Sequence, residues 1–206
     1  MKIDRIEPSK HCKNRILVYL EDGSLLKITE QELLDFGLCP GDALECGALE
    51  QLKDSARCSN ARTEAAAMIG RRAMSRSDLE KKLRNKGASA QDARYAAEWL
   101  EAIGALDDAD YAALLVRHCA GLGYGPARCR DELRRHGVDR ELWDAALAQA
   151  PDPEELAARY LQDRFKGGEP DERERKRAVA ALARRGFAWE DVKRALCAYS
   201  RDDFDD

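Results

Sequence analysis

Three evenly spaced glycines constrain this chain more than any other feature. Leu83-Arg84-Asn85-Lys86-Gly87, Leu133-Arg134-Arg135-His136-Gly137 and Leu182-Ala183-Arg184-Arg185-Gly186 share one form: Leu, two residues, a basic or His residue, then Gly. The glycines stand 50 and 49 residues apart. Behind each, apolar or small residues return at similar offsets: Ala93, Ala96, Ala97 and Leu100, then Leu142, Ala146 and Leu147, then Val192, Ala195 and Leu196. Ahead of each lies a further helical stretch, Arg62–Arg71, Asp110–Ala120 and Glu154–Phe165. Each unit therefore reads as three helices, and repeats of this length form arrays whose neighbours bury one another's apolar faces.

From about residue 61 the chain is helical in character, rich in Ala, with Leu at three- and four-residue spacing. Ser75-x-x-Asp78 and Ser89-x-x-Asp92 open helices as acidic capping boxes. Asp107 and Asp152 are N-cap candidates, and Pro126 suits a first helical position, where no internal hydrogen bond is lost. Gly87, Gly104, Gly137 and Gly186 stop helices. The first fifty-odd residues differ. Ile3, Ile6, Arg15–Leu20 and Leu25–Ile28 read as strands, with Asp22-Gly23 as a hairpin turn, and Thr29-Glu30-Gln31-Glu32 opens a short helix that Gly37 ends. A hairpin alone is marginal, so a small three-stranded sheet is expected there. The predicted fold is mainly α: three tandem three-helix repeats in an elongated array behind a small β segment. The expected divisions are 1–55, 60–105, 106–150, 151–200 and an acidic tail at 201–206.

Chemistry narrows the function. With 35 Lys plus Arg against 39 Asp plus Glu, the net charge of −4 argues against a strongly basic nucleic-acid binder. Locally the balance differs: Arg71, Arg72, Arg76, Lys81, Lys82, Arg84 and Lys86 face only Asp78 and Glu80, and Arg173, Arg175, Lys176, Arg177, Arg184 and Arg185 cluster near the C-terminus. Such asymmetry suits a charged polymer or partner. Solvated helix faces, and cations complementing a helix C-terminus, account for the same pattern; recurrence once per repeat tips the reading toward a binding stripe. The candidates for partner or DNA contact are Arg72, Arg76, Lys81, Lys82, Arg84, Lys86, Arg128, Arg134, Arg135, Arg184 and Arg185.

Seven scattered cysteines without an export signal read as reduced thiols. Cys39, Cys46 and Cys58 with His11-Cys12 are the alternative, a zinc site, but no C-x₂₋₄-C pair supplies the usual tight turn. No Walker A, G-x-G-x-x-G, H-E-x-x-H or G-x-S-x-G sequence occurs. His11, His118 and His136 lack catalytic companions, and His118 and Cys119, adjacent on a helix, point about 100° apart. Asp107-Asp108-x-Asp110 suits helix capping better than a metal. The expectation is a cytoplasmic, monomeric protein that is not an enzyme, needs no cofactor and does not enter the membrane.

Taken in order, Ser77-Asp78-Leu79, Leu83-x-x-Lys86-Gly87, Gly104-Ala105-Leu106-Asp107-Asp108 and Tyr111-Ala112 carry a resemblance. It continues through Gly123-Tyr124-Gly125-Pro126, Arg128, Glu132-Leu133, Gly137, Gly186-Phe187 and Glu190-x-Val192, with Leu38-x-x-Gly41-Asp42-x-Leu44 near the start. The chain resembles the RecX family, bacterial regulators of the RecA recombinase, over nearly its whole length. Two positions depart from the pattern: Asp78 stands where the family commonly has Glu, and His136 where it commonly has Lys. The resemblance implies a curved molecule lying in the groove of the RecA–single-stranded-DNA filament. It also implies inhibition of RecA ATPase, strand exchange and coprotease activity. The alternative is a protein that binds single-stranded nucleic acid directly.

Overall fold

The computed structural model describes residues 1–10, 14–166 and 168–202. The chain divides into two compact units. One comprises Met1–Ala73 with Leu79–Leu106, the other Met74–Asp78 with the chain from Asp107 onward.

In the first unit, β1 (Ile3–Pro8), β2 (Ile16–Leu20) and β3 (Leu25–Ile28) form an antiparallel sheet in the order β1-β2-β3. Alternation places Val18 and Leu20 of β2 fully inside. The short helix α1 (Glu30–Asp35) opens on a complete capping box: Thr29 Oγ1 accepts from the Glu32 N–H at 3.0 Å, and Glu32 Oε2 accepts from the Thr29 N–H at 2.7 Å. Helix α2 spans Cys46–Ile69, α3 Arg76–Asn85 and α4 Ala90–Ala102.

Helix α2 corrects the sequence reading, which starts helical structure near residue 61. It runs unbroken through residues 55–60, where the sequence suggests a division between sheet and first repeat. Residues 46–60 hold Gly47, Ser55, Cys58, Ser59 and Asn60, all poor helix formers. Glu45, at the N-cap, makes no side-chain capping bond. Tertiary packing forms this segment: Leu49, Leu52 and Ala56 join Ile3, Val18, Leu20, Ile28 and Leu38 in one core. Farther along, Ala61 and Ala65 of α2 and Ala93, Ala96 and Ala97 of α4 are buried, small enough to let these two packed helices approach closely.

In the second unit, α5 (Asp108–Gly121), α6 (Pro126–Arg135) and α7 (Trp143–Leu147) enclose a core of Tyr111, Val116, Cys119, Cys129, Leu133 and Ala146. Helix α7 is short and follows a 3-10 turn at Arg140–Leu142. Helices α8 (Pro153–Phe165), α9 (Glu172–Arg184) and α10 (Trp189–Asp202) enclose a second core of Leu161, Leu182, Phe187 and Val192. The predicted caps hold: Ser89, Asp107 and Asp152 each accept from the first turn of their helices, and Pro126 occupies the first turn of α6. Of the acidic tail, residues 201 and 202 continue the backbone of α10; residues 203–206 lie outside the described residues. Among the described residues no helix is long and apolar enough to cross a membrane.

Candidate functional site

The three repeat glycines adopt positive φ: 98° at Gly87, 65° at Gly137 and 87° at Gly186. This left-handed conformation ends a helix at no Cβ penalty. In the second unit the missing side chain has another use. The turn before α3 packs onto Gly137, where Ser75 Oγ donates to the His136 carbonyl. A Cβ at Gly137 would lie 2.5 Å from Ser77 Oγ. The turn before α6 packs in the same way onto Gly186. There the Gly125 N–H donates to the Arg185 carbonyl at 2.8 Å, and the Ala127 N–H to the Gly186 carbonyl at 3.1 Å. A Cβ at Gly186 would lie 2.5 Å from the Arg128 nitrogen. Each joint seats the opening turn of one second helix on the glycine turn of the next repeat.

The residue preceding the glycine reaches back across its joint. His136 Nδ1 lies 2.8 Å from Asp78 Oδ2, and the His136 ring stands edge-on to Tyr111 at 6.0 Å. Arg185 Nη1 donates to the Leu122 and Gly123 carbonyls at 3.3 and 3.2 Å, and its guanidinium lies 4.9 Å from the centre of the Tyr160 ring. Lys86, with no earlier repeat to reach, pairs with Glu64 of α2 at 2.7 Å.

The candidate cations therefore separate into groups that spacing alone does not distinguish. Arg185 holds a repeat joint and is half-buried. Arg128 and Arg135 both pair with the buried carboxylate of Glu132, at 3.1 Å for Arg128. Arg134 pairs with Asp131 at 2.6 Å, and Lys86 with Glu64, both on the surface where such pairs contribute little. Arg76 is half-buried, with its backbone N–H bonded to Asp108 Oδ1 at 2.7 Å; Lys82 is exposed. Among the described residues, Arg72, Lys81, Arg84 and Arg184 are exposed and make no ion pair. These four present unneutralised charge to solvent. Arg72, Lys81 and Arg84 belong to the first unit and Arg184 to the second.

Two clusters are not legible in the sequence. Arg15 Nη1 donates to Ser59 Oγ at 3.0 Å and Nη2 to the Ser59 carbonyl at 2.7 Å. Ser59 Oγ also donates to Glu32 Oε2 at 3.2 Å, and Ser55 Oγ to Glu32 Oε1 at 2.6 Å. Burial pushes the Glu32 carboxyl up, but the hydrogen bonds from Ser55, Thr29 and Ser59 outweigh it and hold the pKa below its ordinary value. This network pins α2 to α1 and to the start of β2. In the other cluster, Arg62 lies 4.6 Å from the Tyr95 ring centre and 5.4 Å from that of Trp99, and bonds the Tyr95 hydroxyl. The spacing of Tyr95 and Trp99, one helical turn apart, was the available signal; Arg62 comes from α2 and gives none.

His118 is exposed while Cys119 is buried, so no thiol–imidazole pair forms. Burial pushes the Cys129 thiol up to about 12 and raises that of Cys119, which keeps both as neutral packing groups. Asp107 Oδ1 accepts from the Ala109 and Asp110 N–H groups at 2.8 and 3.0 Å, a helix cap. Of the proposed zinc ligands, His11 and Cys12 lie outside the described residues. Among the described residues, no three His, Cys, Asp or Glu side chains are grouped to hold a metal.

Fold and surface define a class: a tandem three-helix-repeat protein with an N-terminal three-stranded sheet and cations at the ends of its second helices. Residues 107–147 match the family described as RecX, second three-helix domain, and residues 152–196 match RecX, third three-helix domain. The chain is 39% identical over 133 residues to regulatory protein RecX of Xanthomonas axonopodis pv. citri (strain 306), covering 64% of this chain and 82% of that protein. It is 38% identical over 141 residues to regulatory protein RecX of Stenotrophomonas maltophilia (strain R551-3), covering 68% and 86%. A crystal structure of regulatory protein RecX superposes with a TM-score of 0.71 at 25% identity, covering 95% of this chain and 98% of the other. RecX from Lactobacillus salivarius shares the fold, with a TM-score of 0.63 at 18% identity over 70% of this chain and 97% of the other. The chain belongs to the RecX family of regulatory proteins.

Proposed function

We propose that this protein is a non-enzymatic regulator that binds the filament RecA recombinase forms on single-stranded DNA. Bound there, it lowers RecA's ATP hydrolysis, strand exchange and coprotease activity. It acts in the cytoplasm as a monomer and without a cofactor. Family membership supports this reading, and one surface observation supports it further: Arg72, Lys81, Arg84 and Arg184 stand exposed without ion pairs among the described residues, in a chain of net charge −4. Exposed cations of this kind, three on the first unit and one on the second, give each unit local positive charge toward an anionic assembly. The same observation favours a second reading, direct binding of single-stranded DNA through phosphate contacts.

The test is RecA's ATP hydrolysis on single-stranded DNA, titrated with this protein at two salt concentrations. Inhibition at protein-to-RecA ratios far below one is expected. Inhibition only near saturation of the DNA, with a steep salt dependence, would transfer the assignment to the second reading. Unchanged hydrolysis at excess protein would remove both.

A further inference from the structure

The glycine turns of the second and third repeats are each covered by the opening turn of an earlier second helix. Among the described residues, nothing covers the glycine turn of the first repeat. A Cβ at Gly87 would meet nothing within 4 Å, whereas Cβ atoms at Gly137 and Gly186 would collide with the seated turns. Among the described residues no donor reaches the Lys86 carbonyl, the counterpart of the His136 and Arg185 carbonyls that are bonded at the two joints. Beside Gly87 lies an open groove of about 390 Å³, lined by Arg57, Asn60, Glu64, Lys86, Ala88 and Ser89 among others.

The filled joints show what such a turn accepts. Both seated turns open with a small residue, Ser75 or Gly125, that donates to the carbonyl just before the glycine. Both supply an acceptor for the side chain at that same position: the carboxylate of Asp78, third residue of α3, for His136, and the carbonyls of Leu122 and Gly123 for Arg185. At the first repeat that side chain is Lys86, which among the described residues is held only by a surface pair with Glu64. A surface pair of this kind is exchanged at little cost.

The third repeat of a second copy does not provide the matching turn. The seated helices start eleven residues before their glycines, at Arg76 and Pro126. In the third repeat that position is Arg175, already inside α9, where its N–H is bonded to the Asp171 carbonyl at 2.9 Å. The repeats thus stop propagating at their C-terminal end, and the opening turn of α9 does not fit the Gly87 turn.

We propose that the Gly87 turn is a docking socket for the N-terminal turn of a helix on a partner protein. That helix opens with Ser, Thr or Gly and carries Asp or Glu at its third position, to bond the Lys86 carbonyl and ammonium. Building on the functional reading above, the helix belongs to a protomer of the recombinase filament.

The experiment measures binding of the full chain to filaments assembled from RecA, single-stranded DNA and a non-hydrolysable ATP analogue, with the same DNA alone as reference. Lys86→Glu reverses the charge in the socket. Gly87→Asn fills it with the residue that best tolerates positive φ. Gly104→Asn is the control, since Gly104 also has positive φ, at 69°, and open space around it. Lys86→Glu and Gly87→Asn should each weaken filament binding about tenfold or more, while Gly104→Asn stays within about twofold of wild type. Equal binding by wild type and both socket variants would overturn the socket and leave the functional reading standing. An equal loss in Gly104→Asn, or an equal loss on DNA alone, would also overturn it, by assigning the effect to backbone strain or to nucleic acid. A wild-type chain that does not bind the filament would overturn both.

Discussion

The two units solve the same problem, joining one helical element to the next, by opposite means. In the second unit the joints are made where side chains are missing: Gly137 and Gly186 let a neighbouring turn approach to hydrogen-bonding distance of the backbone. In the first unit the joint is made of side chains. Leu49, Leu52 and Ala56 enter the sheet core, and Ser55 and Ser59 link α2 to Glu32 and Arg15. A backbone joint can recur along a chain because it needs only a glycine and a small residue at the right separation. A side-chain joint is specific to its one neighbour.

Placing the same methyl on all three repeat glycines separates the two kinds of joint most widely. Gly186→Ala adds strain at positive φ to a collision with backbone at Arg128, and should destabilise the second unit by about 4 kcal/mol in urea denaturation. Gly137→Ala meets the Ser77 side chain, which can move more easily than backbone, and should cost about 2–3 kcal/mol. Gly87→Ala adds strain alone and should cost about 1 kcal/mol. Equal losses at the three positions would show that the glycines serve only their own helix ends.

An acid titration sharpens the other half. Glu32 is held below its ordinary pKa of 4.5 in the folded chain. Its contribution to stability is therefore complete above that value and is lost as pH falls through the lower folded-state pKa. Glu32→Gln should flatten this acid limb in thermal melts recorded between about pH 5 and pH 2. A limb of unchanged shape would remove the network from the joint between α2 and the sheet.

The smallest effect on stability is expected where the largest effect on function is. Reversing Arg72, Lys81 and Lys82 to Glu should change the folding free energy by within about 0.5 kcal/mol, since all three are exposed. The same triple variant should lose inhibition of RecA's ATP hydrolysis. Retained inhibition would move the contact surface to the third repeat, around Arg173, Arg177 and Arg184.

Much of this architecture was legible because its signals are local. A helix cap involves residues two or three apart, as at Ser89 with Asp92 and Asp107 with Ala109 and Asp110, and Gly87, Gly137 and Gly186 mark conformations that other residues adopt at a cost. The surface was less legible. Arg184 and Arg185 are neighbours in the same motif, yet Arg184 is exposed and Arg185 is bonded across a joint. Arg128 and Arg135 gain a shared partner because Glu132 lies on the same helix with its carboxylate buried. Helix α2 is not legible before residue 61 because its first turns are stabilised by the sheet rather than by their own propensities.

Repeat length, helix ends, the hairpin and the absence of catalytic motifs follow from the order of residues, because each rests on interactions along a few consecutive positions or on periodicity that survives without coordinates. The pairing of Asp78 with His136, the bonding of Arg185, the early start of α2 and the uncovered turn at Gly87 do not. Those features join residues tens of positions apart. Which distant groups meet depends on how packed helices bring their turns together, and one-dimensional spacing carries no information about that.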